Sequence, residues 1–154
     1  MLAASSSPEA HVSGSTPLPK WFTPVAIVAL LWNLMGASAY LMDVMMSPEA
    51  VAALTPAQRA LYESRPAWFV AVYAIAVWAG VLGALGLVLK RRWARGLLLA
   101  SLLALIVQDL ALFTKAEFTA AVTGAVIGLQ ATVLLVAVGL ILLARRADTD
   151  GWLT

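Results

Sequence analysis

Cysteine is absent from the sequence, and histidine occurs once, at His11 in a polar N-terminal stretch. The first absence excludes disulfides, thiol redox chemistry and cysteine metal sites. The second leaves no histidine cluster to hold a metal. Charge is scarce too, with 12% Asp, Glu, Lys and Arg against about 25% in soluble domains. Proline is nearly missing from the apolar stretches: only Pro24 lies in one, in the first turn of the helix it would join, where a lost N–H costs least. No nucleophile–base pair, metal cluster or phosphate loop stands out, so the expectation is a protein that is not an enzyme and needs no cofactor or metal.

Apolar residues are what the chain has in abundance, 62% of 154. A soluble domain of this length could not bury them, whereas lipid would solvate them directly. They fall into four runs, at about 21–44, 68–89, 94–113 and 118–144, each near the roughly 20 residues that cross a hydrocarbon core as a helix. The predicted fold is all-α: an integral membrane four-helix antiparallel bundle formed by residues 21–146. It is flanked by a disordered tail at 1–20 and a second tail at 147–154.

The basic residues orient it. Lys20, Lys90, Arg91, Arg92, Arg95, Arg145 and Arg146, seven of the ten, fall at one set of span ends, and Arg59, Arg65 and Lys115 fall at the other. The positive-inside bias puts both termini in the cytoplasm, N-in/C-in. The Lys90–Arg95 turn is thus a topology signal that also touches anionic headgroups, and the net charge of +2 gives no reason to expect nucleic acid. In the outer loop, Thr55-Pro56-Ala57-Gln58 has the pieces of a capping box with proline at the first helical position. It predicts a short amphipathic helix with Leu54, Ala57, Leu61 and Tyr62 on one face and an Arg59–Glu63 pair.

Several of these residues carry a resemblance. Trp32-Asn33-Leu34-Met35-Gly36 with Tyr40 and Met42-Asp43 come first, then Pro66-Ala67-Trp68, then the Ala76–Gly83 segment, and finally Arg91-Arg92-Trp93-Ala94 leading to Ser101-Leu102. Together they resemble a family of small bacterial inner-membrane proteins of four helices, some of which carry an automatic sugar-transporter label. The resemblance covers about residues 25–145. It implies an inner-membrane location and little about activity. Small multidrug exporters fit less well, because their membrane glutamate in the first helix is missing here.

Polar residues inside the spans are the candidate ligand-binding set: Asn33, Tyr40, Asp43, Trp78, Gln108, Asp109 and Gln130. An aspartate at the membrane centre costs about 2.5–3.5 kcal/mol on insertion scales, so Asp109 calls for a partner, with Lys115 or Arg65 in reach, or for a function. Antiparallel spans bring Trp32, Asn33, Trp78 and Gln130 to one depth. There the two amides would either bond each other and fix the bundle or, with the indoles, hold a small polar solute. The alternative is an accessory subunit with no ligand of its own. Gly124 and Gly128 form a GxxxG pair on the fourth span, and Ala79, Gly80, Gly83, Ala84 and Gly86 smooth the second. Either face is a candidate homodimer contact.

Overall fold

The computed structural model describes residues 17–120 and 122–154, apart from the side chain of Glu117; most of the predicted N-terminal tail, His11 included, lies outside them. Among the described residues seven helices run in order: α1 (Phe22–Val44), α2 (Pro48–Ala52), α3 (Pro56–Ser64), α4 (Ala67–Val88), α5 (Trp93–Thr114), α6 (Ala116–Thr119) and α7 (Gly124–Thr149). Of these, α1, α4, α5 and α7 have 22 to 26 residues and are apolar enough to cross a membrane. At 1.5 Å per residue the shortest reaches roughly 33 Å, the thickness of a hydrocarbon core. The chain is a multi-pass, antiparallel four-helix membrane bundle. The start of α1, the end of α7 and the 89–92 turn share one end, here the tail end; α2, α3 and α6 share the other, the loop end.

The bundle is packed on three of its four sides. α4 lies against both α1 and α5, α5 lies against α7, and α1 scarcely approaches α7. In lipid, apolar surface alone does not drive helices together, so close packing must do it, and small residues allow the backbones to approach. Glycine supplies that on α4. A Cβ built on Gly83 would lie 2.7 Å from Cγ of Leu98 and 3.0 Å from its backbone nitrogen. One built on Gly86 would lie 2.7 Å from the Trp93 ring and 2.8 Å from Cβ of Ala94. Gly80 lies under the Asn33 carboxamide and beside the Ser101 hydroxyl. The smooth face of α4 is therefore filled within the chain.

At the tail end the fourth side is closed by the last residues of the chain. Both long helices that end here do so with the same double hydrogen bond. After α4, Lys90 N–H donates to Leu87 O and Arg91 N–H to Gly86 O; after α7, Gly151 N–H donates to Asp148 O and Trp152 N–H to Ala147 O. Such an ending requires a left-handed residue. Gly151 takes it at φ 74°, Lys90 at φ 58°. The reversal at Gly151 carries Trp152 back onto α1, edge-on to Phe22 with centroids 5.5 Å apart. Trp152 and Leu153 are buried with Phe22, Ala26 and Ala29 of α1 and Leu140, Ala144 and Ala147 of α7. Thr154 and the 90–92 turn also exchange backbone hydrogen bonds, Thr154 N–H to Lys90 O and Arg92 N–H to Thr154 O. Asp148 adds an ion pair to Arg95 at 3.0 Å. Ala147, Trp152 and Leu153 of the expected tail thus join the bundle's core; α7 runs on to Thr149, five residues past the expected end of the span.

The loop end differs from expectation in three places. The capping box forms, with Gln58 N–H donating to Thr55 Oγ1 and Thr55 N–H to Gln58 Oε1. A second short helix, α2, precedes it, capped by Ser47 Oγ accepting from Ala50 N–H. Arg59 does not pair with Glu63; it donates to the carbonyls of Val51 and Ala52, because carbonyls at a helix C-terminus keep acceptor capacity that a guanidinium can use. Finally, the fourth span is not continuous from residue 118. The chain breaks after α6, and α7 starts at Gly124, where Thr123 Oγ1 accepts from Val126 N–H.

Candidate functional site

Because α1 and α7 part toward the loop end, a cleft remains between them, floored by α4 and α5. Its volume is about 250 Å³, slightly below the roughly 300 Å³ at which ligand pockets begin, so it has room for a small molecule. Trp32, Asn33 and Gly36 of α1 face Gln130, Val133 and Leu140 of α7 across it, with Tyr73 and Ala76 of α4 and Ser101, Leu105 and Gln108 of α5 beneath. Most of the wall is apolar. Its polar groups are three amides, a hydroxyl, a phenol and the Trp32 indole.

Local bonding decides what each group can offer. Asn33 Nδ2 donates to Ala29 O at 2.8 Å, one turn back on its own helix. Ser101 Oγ donates to Ala76 O at 2.5 Å, from α5 to α4. Gln130 Nε2 donates to Asp109 Oδ1 at 2.5 Å, from α7 to α5. The carbonyl oxygen of Gln108 is buried and accepts no hydrogen bond among the described residues, which is costly in a low-dielectric interior and calls for a partner.

The expected site residues therefore separate into groups. Asn33, Gln108 and Gln130 come together around the cleft. Asn33 and Gln130 do not bond each other, since the cleft separates their helices. Asp109 is held by Gln130 instead of by Lys115 or Arg65: Lys115 lies over the Trp68 ring at 5.2 Å, and Arg65 is paired with Asp43 at 2.5 Å at the α1 corner of the bundle. Trp78 does not belong to the site. It is 42% exposed, and its neighbour Val77 lines the cleft in its place, one residue along a helix being a turn of about 100°. Tyr40 meets Tyr73 edge-on, with centroids 5.0 Å apart. Asp43, one turn further, belongs to a second, smaller pocket under α3.

Tyr73 and Ser101 were not among the expected residues, although each left a signal. Tyr73 is the only hydroxyl-bearing residue in the second run and Ser101 the only polar one in the middle of the third; isolated polar groups in apolar spans face protein. Comparison with protein-family models, curated proteins and solved structures gives no match to this chain.

Proposed function

We propose that the protein binds, and in an oligomer carries, a small neutral solute in the cleft between α1 and α7, with no catalysis. The solute is sugar-like in having an apolar face and a hydrogen-bonding rim. The observation that carries this is the unpacked fourth side of the bundle. Three amides converge there with Trp32 on an otherwise apolar wall, one of them with an unsatisfied carbonyl. A ring with C–H groups on its face stacks on an indole, while amides and a hydroxyl bind its hydroxyls. The seven basic residues collected at the tail end favour that end, and with it both termini, on the cytoplasmic side; the family resemblance adds a bacterial inner membrane. On that orientation the cleft lies in the outer half.

Thermal denaturation of the purified protein in detergent, against monosaccharides and small neutral amphiphiles, tests this reading. A saturable rise in Tm is expected, weakened by Gln108→Leu and abolished by Ala137→Phe, which fills the cleft. A rise that survives Ala137→Phe would place the solute elsewhere and end the proposal.

One observation favours a second reading, an accessory subunit or homodimer. Gly124, Gly128 and Gly139 of α7 have nothing within 4 Å of a built Cβ, and only three of the 26 residues of α7 are buried, Leu140, Ala144 and Ala147. A face so smooth and open suits another helix. Cross-linking or native mass spectrometry in mild detergent that finds monomer alone would rule out the homodimer, and purification from membranes with no larger complex attached would rule out the accessory subunit.

A further inference from the structure

The pocket at the loop end, about 190 Å³ between the end of α1 and α3, is a separate feature from the cleft. It contains an ion pair that is only half used. Arg65 is 11% exposed, lies with its guanidinium 4.5 Å from the centroid of the Tyr62 ring, and among the described residues gives a single hydrogen bond, from Nη1 to Asp43 Oδ2. Its Nε is buried with no partner. Nε–H and the outer N–H of Nη2 form one edge of the guanidinium, the fork that takes a carboxylate through two parallel bonds. That edge has no protein acceptor here.

The neighbouring groups are left open in a complementary way. Asp43 accepts Arg65 on Oδ2 and keeps Oδ1 uncommitted. Gln58 spends Oε1 on Thr55 in the capping box, so what it retains is the Nε2 donor. Met46 and Leu54 supply apolar wall. The pocket thus offers a cationic fork, an amide donor, a carboxylate oxygen and an apolar side. Its charges cancel, so a plain anion or a plain cation gains no net attraction.

We propose that this pocket binds a small zwitterion of the α-amino-acid class. The carboxylate sits on the Nε–Nη2 edge of Arg65 with Gln58 Nε2, the ammonium on Asp43 Oδ1, and the apolar body against Met46 and Leu54. Such a ligand satisfies the buried Nε–H and keeps the Asp43–Arg65 bond, which ties α1 to the start of α4.

Isothermal titration of the full chain in detergent tests it with leucine and its two half-molecules, 4-methylpentanoate and 3-methylbutylamine. Leucine should bind saturably, and each half-molecule about tenfold or more weaker, since each lacks one charge-assisted contact. Arg65→Lys keeps the charge opposite Asp43 but has no fork, so it should fold and lose leucine by a similar factor. Asp43→Asn should do the same if it folds, and Arg65→Lys decides the matter if it does not. Ala137→Phe, in the cleft, should leave leucine affinity unchanged. The proposal is overturned by absence of saturable binding, by 4-methylpentanoate binding as tightly as leucine, by unchanged affinity in folded Arg65→Lys, or by loss of leucine binding in Ala137→Phe.

Discussion

α4 and α7 are both membrane-spanning helices with three spaced glycines, and they use them in opposite ways. On α4, Gly80, Gly83 and Gly86 lie against α1 and α5 so closely that a methyl group would collide. On α7, Gly124, Gly128 and Gly139 touch nothing. The burial follows: nine of the 22 residues of α4 are buried against three of the 26 of α7. Glycine in a membrane helix therefore marks where a backbone can be approached, not where one is approached within the same chain. The central helix has used its smooth face, and the outer helix still has one to offer.

Substitutions would break or sharpen that contrast. The largest effect is expected from Gly83→Ala, because its methyl meets both the branch of Leu98 and the α5 backbone, and neither can rotate away. A loss of about 2–3 kcal/mol, at the upper end for overpacking, should appear as a markedly lower Tm in detergent. Gly86→Ala meets the rim of the Trp93 ring and a methyl group, and the ring is partly free to shift. About 1–2 kcal/mol is expected, measurable by the same melt. The cap that starts α7 comes next: Thr123→Ala removes the oxygen that accepts Val126 N–H and should cost about 1 kcal/mol, visible as faster amide exchange in the first turn of α7. Gly128→Ala should change monomer stability by no more than about 0.5 kcal/mol. If it nevertheless shifts an oligomer toward monomer on native mass spectrometry, the outward face of α7 is a contact between copies. A Gly128→Ala loss as large as that of Gly83→Ala would erase the distinction between the two helices.

The sequence predicted some of this and concealed the rest for physical reasons. The four spans were plain, because a run of about 20 apolar residues has few other uses. Thr55 and Gln58 foretold α3 and its cap, since a capping box is local and needs no tertiary context. Depth also survived: Asn33, Trp32 and Gln130 do share a level, around one cleft. Rotation did not. α4 is apolar on all sides, so nothing in its periodicity says whether Val77 or Trp78 faces inward. Partner choice was equally hidden, because Asp109, Asp43 and Arg65 lie near the same end and only the lateral order of the helices assigns Arg65 to Asp43. The break before α7 had a signal in Thr123-Gly124, masked by the apolar residues on either side.

The folded-back end of the chain has a practical consequence. Topology is commonly mapped by cutting a chain after successive spans and attaching a reporter. Here a cut at residue 147 would discard Trp152 and Leu153, which cover Phe22 at the start of the first helix, and Thr154, which pairs with the 90–92 turn. The reporter would then register the orientation of a bundle whose first helix had lost its anchor at that end. A reporter attached after residue 154 leaves that anchor in place, and sidedness is best read there.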